Sequence, residues 1–261
     1  MVVDTIPARL FRNAVSMPER PGYLEKVEGA YRPIDWRGYA TLVRRAGRAL
    51  ISLGFQPGQH LAILGFNRPE WVISYLGAMA AGGAAAGIYT TSSADEVAYV
   101  AAHAEAPVVV VEGEAQLEKV LSRRRELPAL RRVVTMRGAP PESDPLVLSW
   151  EAFLAQGAAV ADHEIDARLA GISGGDPATL VYTSGTTGAP KGVVLTHDNL
   201  TWTADQARGV FSLSPDDVIL SYLPLSHVAE QMYAVHVAVS FGYPVAFAES
   251  IEALRTNLAE V

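Results

Sequence analysis

The sequence predicts an α/β fold of largely parallel sheets flanked by helices. Three observations carry that expectation. The strand candidates 60–66 (HLAILGF), 84–89, 107–111 (PVVVV) and 131–135 are continuous apolar runs, the pattern of strands covered on both faces. Segments of helical period stand between them, so strand and helix alternate. Residues 180–199 read strand, tight loop, strand, helix, and the rest of the chain is organised around that stretch.

Taken in order, residues 5–17 have the spacing of a short amphipathic helix. Residues 22–36 read as a hairpin with Glu28-Gly29 at the turn. Asp35 is the expected N-cap of the next helix, Tyr39, Leu42, Val43, Ala46 and Leu50 recur along it, and Gly54 closes it. After the strand at 60–66, Asn67 stands near the cap of another helix with Pro69 in its first turn. Gly82-Gly83 ends that helix. Ser92 or Ser93 caps a helix over 94–104, a charged helix covers 114–126, and 137–146 is a Pro-rich surface loop. Short helices are expected over 149–156 and 162–170. Beyond the central stretch come a helix over 198–211, capped by Thr196 or Asp198, and a strand over 218–223. A helix over 228–241, a strand over 242–247 and a final Ser250-capped helix of about ten residues complete the pattern. The expected organisation is 1–34 as helix and hairpin, 35–175 as a first α/β subdomain and 176–261 as the start of a second.

Nearly half of the 261 residues are apolar, enough for a substantial core. The net charge of −7 and the lack of a long basic run argue against a nucleic-acid surface. With no cysteine there are neither disulfides nor thiolate metal sites. The amino-terminal residues place Asp4 and Arg9 where a signal peptide needs apolar residues, and no apolar run reaches the roughly 20 residues of a membrane span. A cytoplasmic location is expected.

Between residues 183 and 192 stand Thr183, Ser184, Gly185, Thr186, Thr187, Gly188, Ala189, Pro190, Lys191 and Gly192: three glycines, four hydroxyls and one lysine. Glycines admit positive φ and close backbone approach. Successive N–H groups in such a turn form an anion nest, to which hydroxyls add donors and the ammonium a full charge. A polyphosphate suits this set. The loop is not a Walker A box, since Pro190 falls where the second glycine is required and Gly192 follows the lysine. A polar hairpin turn without ligand is the plainer alternative.

Thr183–Gly192 (TSGTTGAPKG) resembles the phosphate-loop signature of the AMP-forming adenylating enzymes, a family of acyl-CoA synthetases, luciferases and peptide-synthetase adenylation domains. The segment from Asn67 to Glu112 resembles the long-chain acyl-CoA synthetases among them, so the fold is expected to be the amino-terminal part of their large domain. The resemblance implies that Thr183, Ser184, Gly185, Thr186, Thr187, Gly188 and Lys191 hold ATP phosphates, with Thr187 at magnesium. It implies activation of a fatty acid by ATP, with pyrophosphate leaving and the acyl group passing to CoA.

Pro224-Leu225-Ser226-His227 follows a strand end, where ligands of open α/β sheets bind. Alone, His227 reads as a histidine satisfied by its neighbours. SYLPLSHVAEQ, however, resembles the second motif of the family, which implies that His227 lies against the substrate carboxylate as a catalytic and substrate-binding residue. Tyr233, on the helix that follows, is a candidate for lining an acyl tunnel, and equally an ordinary core residue. His227 and Glu230 mimic a metal pair, but without a third ligand zinc is rejected.

The family's adenine, ribose and hinge motifs and its carboxyl-terminal catalytic lysine have no counterpart in the chain. The expectation is an amino-terminal portion, inactive alone, of a long-chain fatty acid–CoA ligase, with ATP, Mg2+ and CoA as its ligands and self-association of the portion through uncovered apolar surface. The alternatives are a noncatalytic nucleotide- or partner-binding module and a parent enzyme adenylating a medium-chain or aryl acid. Peripheral contact with a membrane would suit a fatty acid substrate, though no basic amphipathic helix supports it.

Overall fold

The structure is a computed structural model that describes residues 3–140, 142–183 and 190–261. Its larger sheet has seven strands in the order β7-β6-β5-β3-β4-β8-β9: β3 (His60–Leu64), β4 (Ala84–Ile88), β5 (Val108–Val111), β6 (Arg132–Thr135), β7 (Val147–Ser149), β8 (Pro177–Thr183) and β9 (Lys191–Thr196). Every neighbouring pair is parallel except β8 with β9. Successive residues alternate between two apolar layers. Leu61, Ile63, Val108 and Val110 face one, and Ala62, Leu64, Val109 and Val111 face the other. Both faces are therefore buried, which explains the unbroken apolar runs. The expected class, parallel sheets flanked by helices, is what the chain adopts.

On the first face lie α2 (Trp36–Ser52), α3 (Pro69–Ala80) and α6 (Trp150–Gln156), with Trp36, Val43, Trp71, Tyr75 and Phe153 in the layer. All twelve residues of α3 are buried, as befits a helix covered on every side. On the second face α4 (Ala94–His103) and α5 (Glu114–Ser122) contribute Val97, Val100, Leu117 and Val120. Outside them run α1 (Ile6–Ser16), α7 (Asp162–Ala170) and α8 (His197–Ala207).

The smaller sheet has the order β10-β11-β1-β2, built from β1 (Pro21–Val27), β2 (Ala30–Asp35), β10 (Ile219–Ser221) and β11 (Val245–Phe247). The β1–β2 hairpin turns through Glu28 (φ 51°) and Gly29 (φ 77°), two positive values that match the twist of its strands. Hydrogen bonding in both sheets crosses the sequence boundaries expected near 34 and 175: β8 and β9 join the sheet of residues 60–149, and β1 pairs with β11. The two sheets are tied by ions. Arg137, just past β6, pairs with Glu25 of β1 and with Glu70 of α3, and Arg68 Nε meets the same Glu70 carboxylate at 2.8 Å. Burial alone would raise the Glu70 pKa, but the two guanidiniums override it and hold the carboxyl below its usual value.

Several boundaries differ from expectation. Asn67 does not cap α3. The cap position is Arg68, which makes no side-chain cap bond, and Asn67 is turned into the interior. The short edge strand β7 has too few residues to show a period. Helix α8 stops at Ala207, because Gly209 weakens the last expected turn. The final helix, α11 (Leu254–Leu258), has five residues. Ser250 Oγ accepts from Ala253 N in a turn ahead of it rather than capping it. The helix over 228–241 forms as α9 (Val228–Gln231), a π segment Met232–Val237 and α10 (Ala238–Phe241).

Asp35 does cap α2, its Oδ1 accepting from Gly38 N at 2.7 Å. Asp35→Ala is expected to lower stability by about 1 kcal/mol. Urea denaturation checks this, and an unchanged midpoint would remove the cap from the account.

Candidate active site

Strands β8 and β9 form the hairpin that presents the hydroxyl-rich loop. Thr183 and Lys191 are direct register partners at its loop end and both are exposed. Opposed residues of an antiparallel pair place their side chains on one face, so a hydroxyl and an ammonium flank the loop together. Ser184, Gly185, Thr186, Thr187 and Gly188 lie outside the described residues.

Both flanks of the loop are held by α4. Tyr99 OH donates to Pro190 O at 3.0 Å, and His103 Nδ1 lies 2.9 Å from Tyr182 OH. Tyr99 and His103 stack one turn apart, and the His103 ring meets the Tyr182 ring edge-on. Burial pushes the Tyr182 phenol up to about 12, so it stays protonated. Gly192 faces Tyr182, and a Cβ there would approach the phenol ring to 3.2 Å. The i, i+4 spacing of Tyr99 and His103 was the available signal for this clamp, but it does not distinguish a loop support from a packed helix face.

His227 arrives from the other sheet. It follows β10 through the exposed residues Tyr222, Leu223 and Pro224, and it occupies the N-cap of α9. Its Nδ1 accepts from Ala229 N at 3.2 Å, which assigns the proton of the neutral ring to Nε2. The exposed ring thus offers one N–H donor. Glu230 points the opposite way: its carboxylate is buried, accepts from Ser221 Oγ at 2.6 Å and Tyr222 N at 3.1 Å, and is raised in pKa by burial. Among the described residues no cluster of three metal-ligating side chains occurs.

Hairpin and histidine meet at a cleft of about 410 Å³ outside the carboxyl ends of β4 and β8. Thr183, Pro190 and His227 stand on its wall, with Val100, Val181 and Val228 giving it an apolar side. This is the end of a parallel sheet at which ligands bind. Lys191 stands at the rim beside Thr183 rather than in the lining. Tyr233 is not brought to the cleft. It lies in the π segment, its ring edge-on to Phe211 at 5.6 Å, because the turns between it and His227 carry it around to another face. A phosphate-rich ligand fits the donors present, namely hydroxyl, ammonium and a ring N–H, with an apolar wall beside them.

Fold and cleft define a largely parallel α/β protein with a cleft outside the carboxyl ends of its strands. The chain belongs to the AMP-binding enzyme family, whose model matches residues 10–261. It is similar to the long-chain-fatty-acid–CoA ligase ACSBG1 of Bos taurus, at 40% identity over 237 residues, 89% of this chain and 32% of that protein. It is similar also to the long-chain-fatty-acid–CoA ligase ACSBG2 of Rattus norvegicus, at 37% over 260 residues, 97% of this chain and 39% of that one. The chain spans about a third of the length of these relatives. Among solved structures it resembles a Mycobacterium tuberculosis fatty acyl CoA synthetase, with TM-score 0.79, 22% identity and coverage of 98% of this chain and 47% of the other. An anthranilate CoA ligase in complex with anthranoyl-AMP gives TM-score 0.80, 24% identity and coverage of 99% and 47%. Among the described residues no helix is long and apolar enough to cross a membrane.

Proposed function

We propose that this chain is part of a long-chain fatty acid–CoA ligase, in which ATP first adenylates the carboxylate and CoA then takes the acyl group. The observation that carries the reading is the shared cleft: loop flanks from one sheet and a ring N–H donor from the other converge at the strand ends of a chain that matches the AMP-binding family over residues 10–261. The names of its relatives supply the substrate class.

In this reading Thr183 and Lys191, with Ser184, Gly185, Thr186, Thr187 and Gly188 of the same loop, hold the ATP phosphates through hydroxyls, backbone N–H groups and one ammonium. His227 donates from Nε2 to an oxygen of the fatty acid carboxylate, fixing it for attack on the α-phosphorus as pyrophosphate departs. The apolar side of the cleft excludes water from the acyl phosphate. Thr187 would hold magnesium, which when bound would neutralise charge on the polyphosphate. Tyr233 serves the acyl chain only if the π segment turns it toward the cleft. Residues 1–34, 35–175 and 176–261 act together, since both sheets contribute to one site. The setting is cytoplasmic.

ATP–pyrophosphate exchange tests the reading. Exchange dependent on a long-chain fatty acid is expected from the protein that carries this segment, with weaker response to short and aryl acids. Exchange with aryl acids alone would replace the substrate class, and no exchange with any carboxylate would overturn adenylation.

A further inference from the structure

The turn that carries His227 is held from three sides by buried groups to which the proposed chemistry assigns no part. Asn67, at the carboxyl end of β3, accepts the Leu225 N–H on its Oδ1 at 3.1 Å. Its Nδ2 donates to Leu223 O at 2.6 Å and Ser221 Oγ at 2.8 Å. Gln231, on α9, donates from Nε2 to Leu225 O at 2.8 Å. Its Oε1 accepts from Tyr75 OH and Thr179 Oγ1, each at 3.3 Å. Both backbone groups of Leu225 are thus satisfied by carboxamides that are 2% and 0% exposed. The third side is β4. A Cβ built on Gly87 would stand 2.7 Å from Ser226 Cα and 3.2 Å from the Trp71 ring. Saturated carbons do not approach so closely, so the turn reaches this depth only because residue 87 has no side chain.

We propose that Asn67, Gln231 and Gly87 are positioning residues that set where the His227 ring stands over the cleft. The proposal rests on the reading of His227 as facing the substrate carboxylate. An exposed connection between a strand and a helix does not by itself need buried anchors. Here Asn67 past β3 and Gly87 of β4 meet the turn directly, and Gln231, just beyond it, ties it to Tyr75 of α3 and Thr179 of β8, so the larger sheet and its covering helix fix the residues immediately before the histidine. Leaving either carboxamide partly unpaired in the interior costs more than its hydrogen bonds contribute, so the turn has one depth rather than a range. A group that donates to a reacting carboxylate needs that constancy, because small displacements of a catalytic contact carry large losses in rate.

Two measurements test this without catalysis, so failure of exchange would sink the functional reading and leave this inference to be judged on its own. In the unsubstituted chain the Leu225 amide is expected to exchange with solvent as slowly as the amides of β4. Exchange at the rate of an open turn overturns the proposal. The second measurement is carbethoxylation of His227 by diethyl pyrocarbonate, with the exposed His163 of α7 as internal reference. Gly87→Ala, which keeps every hydrogen-bond partner, and Gln231→Met, which removes one tether at similar volume, are each expected to change the His227 rate about threefold relative to His163. Val109→Ala, in β5, is expected to lower stability and leave that ratio unchanged. An unchanged ratio in the folded Gly87 and Gln231 variants, or the same change in Val109→Ala, overturns the proposal. If Gly87→Ala and Gln231→Met do not fold, amide exchange at Leu225 decides.

Discussion

Lys191→Ala is expected to lower fatty acid-dependent ATP–pyrophosphate exchange by about a hundredfold. Lys191 opens β9 opposite Thr183, exposed and on the same face of the hairpin. It supplies the one full positive charge between Thr183 and Gly192. Hydroxyls and N–H groups can bind a polyphosphate, but negative charge grows on the leaving pyrophosphate as the reaction proceeds. An ammonium placed there stabilises the transition state more than the ground state. The expected signature is therefore a fall in the maximal exchange rate larger than the rise in the ATP concentration at half-maximal rate. Lys191→Arg keeps the charge on a wider, planar head and is expected to recover part of the rate. Wild-type exchange in Lys191→Ala would remove the lysine from the phosphates.

Stability is expected to fall by roughly 3 kcal/mol between pH 6.5 and pH 5, through two buried histidines. Burial, and secondarily the neighbouring His197, pushes His236 down to about 3. Burial pushes His197 down to about 4 against the opposing pull of Asp176 and Asp198. In the unfolded chain both rings titrate near their ordinary value of about 6.5. Below that pH the unfolded chain takes up protons that the native state refuses, so the contribution is whole above pH 6.5 and is lost as pH falls toward the folded values. His236 Nε2 lies 2.9 Å from Tyr75 OH, inside the protein. His236→Gln is expected to remove about half of the slope. Urea midpoints across this range decide it. A flat profile would mean that the rings are protonated in the native state.

The fold class was legible because strands covered on both faces must be apolar throughout, and β3, β4 and β5 are. Caps were legible where the side chain acts within its own turn, as at Asp35, Ser93 and Thr196. Asn67 shows where that reasoning stops. It has the composition and position of a cap, yet its partners Ser221 and Leu225 lie more than 150 positions away, and no local pattern records them. Gly87 is similar: within an apolar strand it reads as a weak position, and only the arrival of Ser226 shows what the missing side chain admits. His227 was singled out by the resemblance of SYLPLSHVAEQ to the family's second motif, because a place past a strand end alone reads as a histidine satisfied by its neighbours. Tyr233 read equally as a liner of an acyl path and as an ordinary core residue, and the π geometry of the segment that carries it has no local sequence signal.

The pairing of Tyr23 with Val245 and Leu24 with Ala246 also constrains how the molecule is made. The β1–β2 hairpin leaves the ribosome before its parallel neighbour, which is synthesised more than 200 residues later. Neighbours so distant in sequence form late and slowly. Synthesis at about 5–20 residues per second keeps the hairpin waiting for many seconds, with one edge open, while the larger sheet assembles. Two-stranded hairpins are marginal alone, so this hairpin depends on protection during translation until β11 has been made.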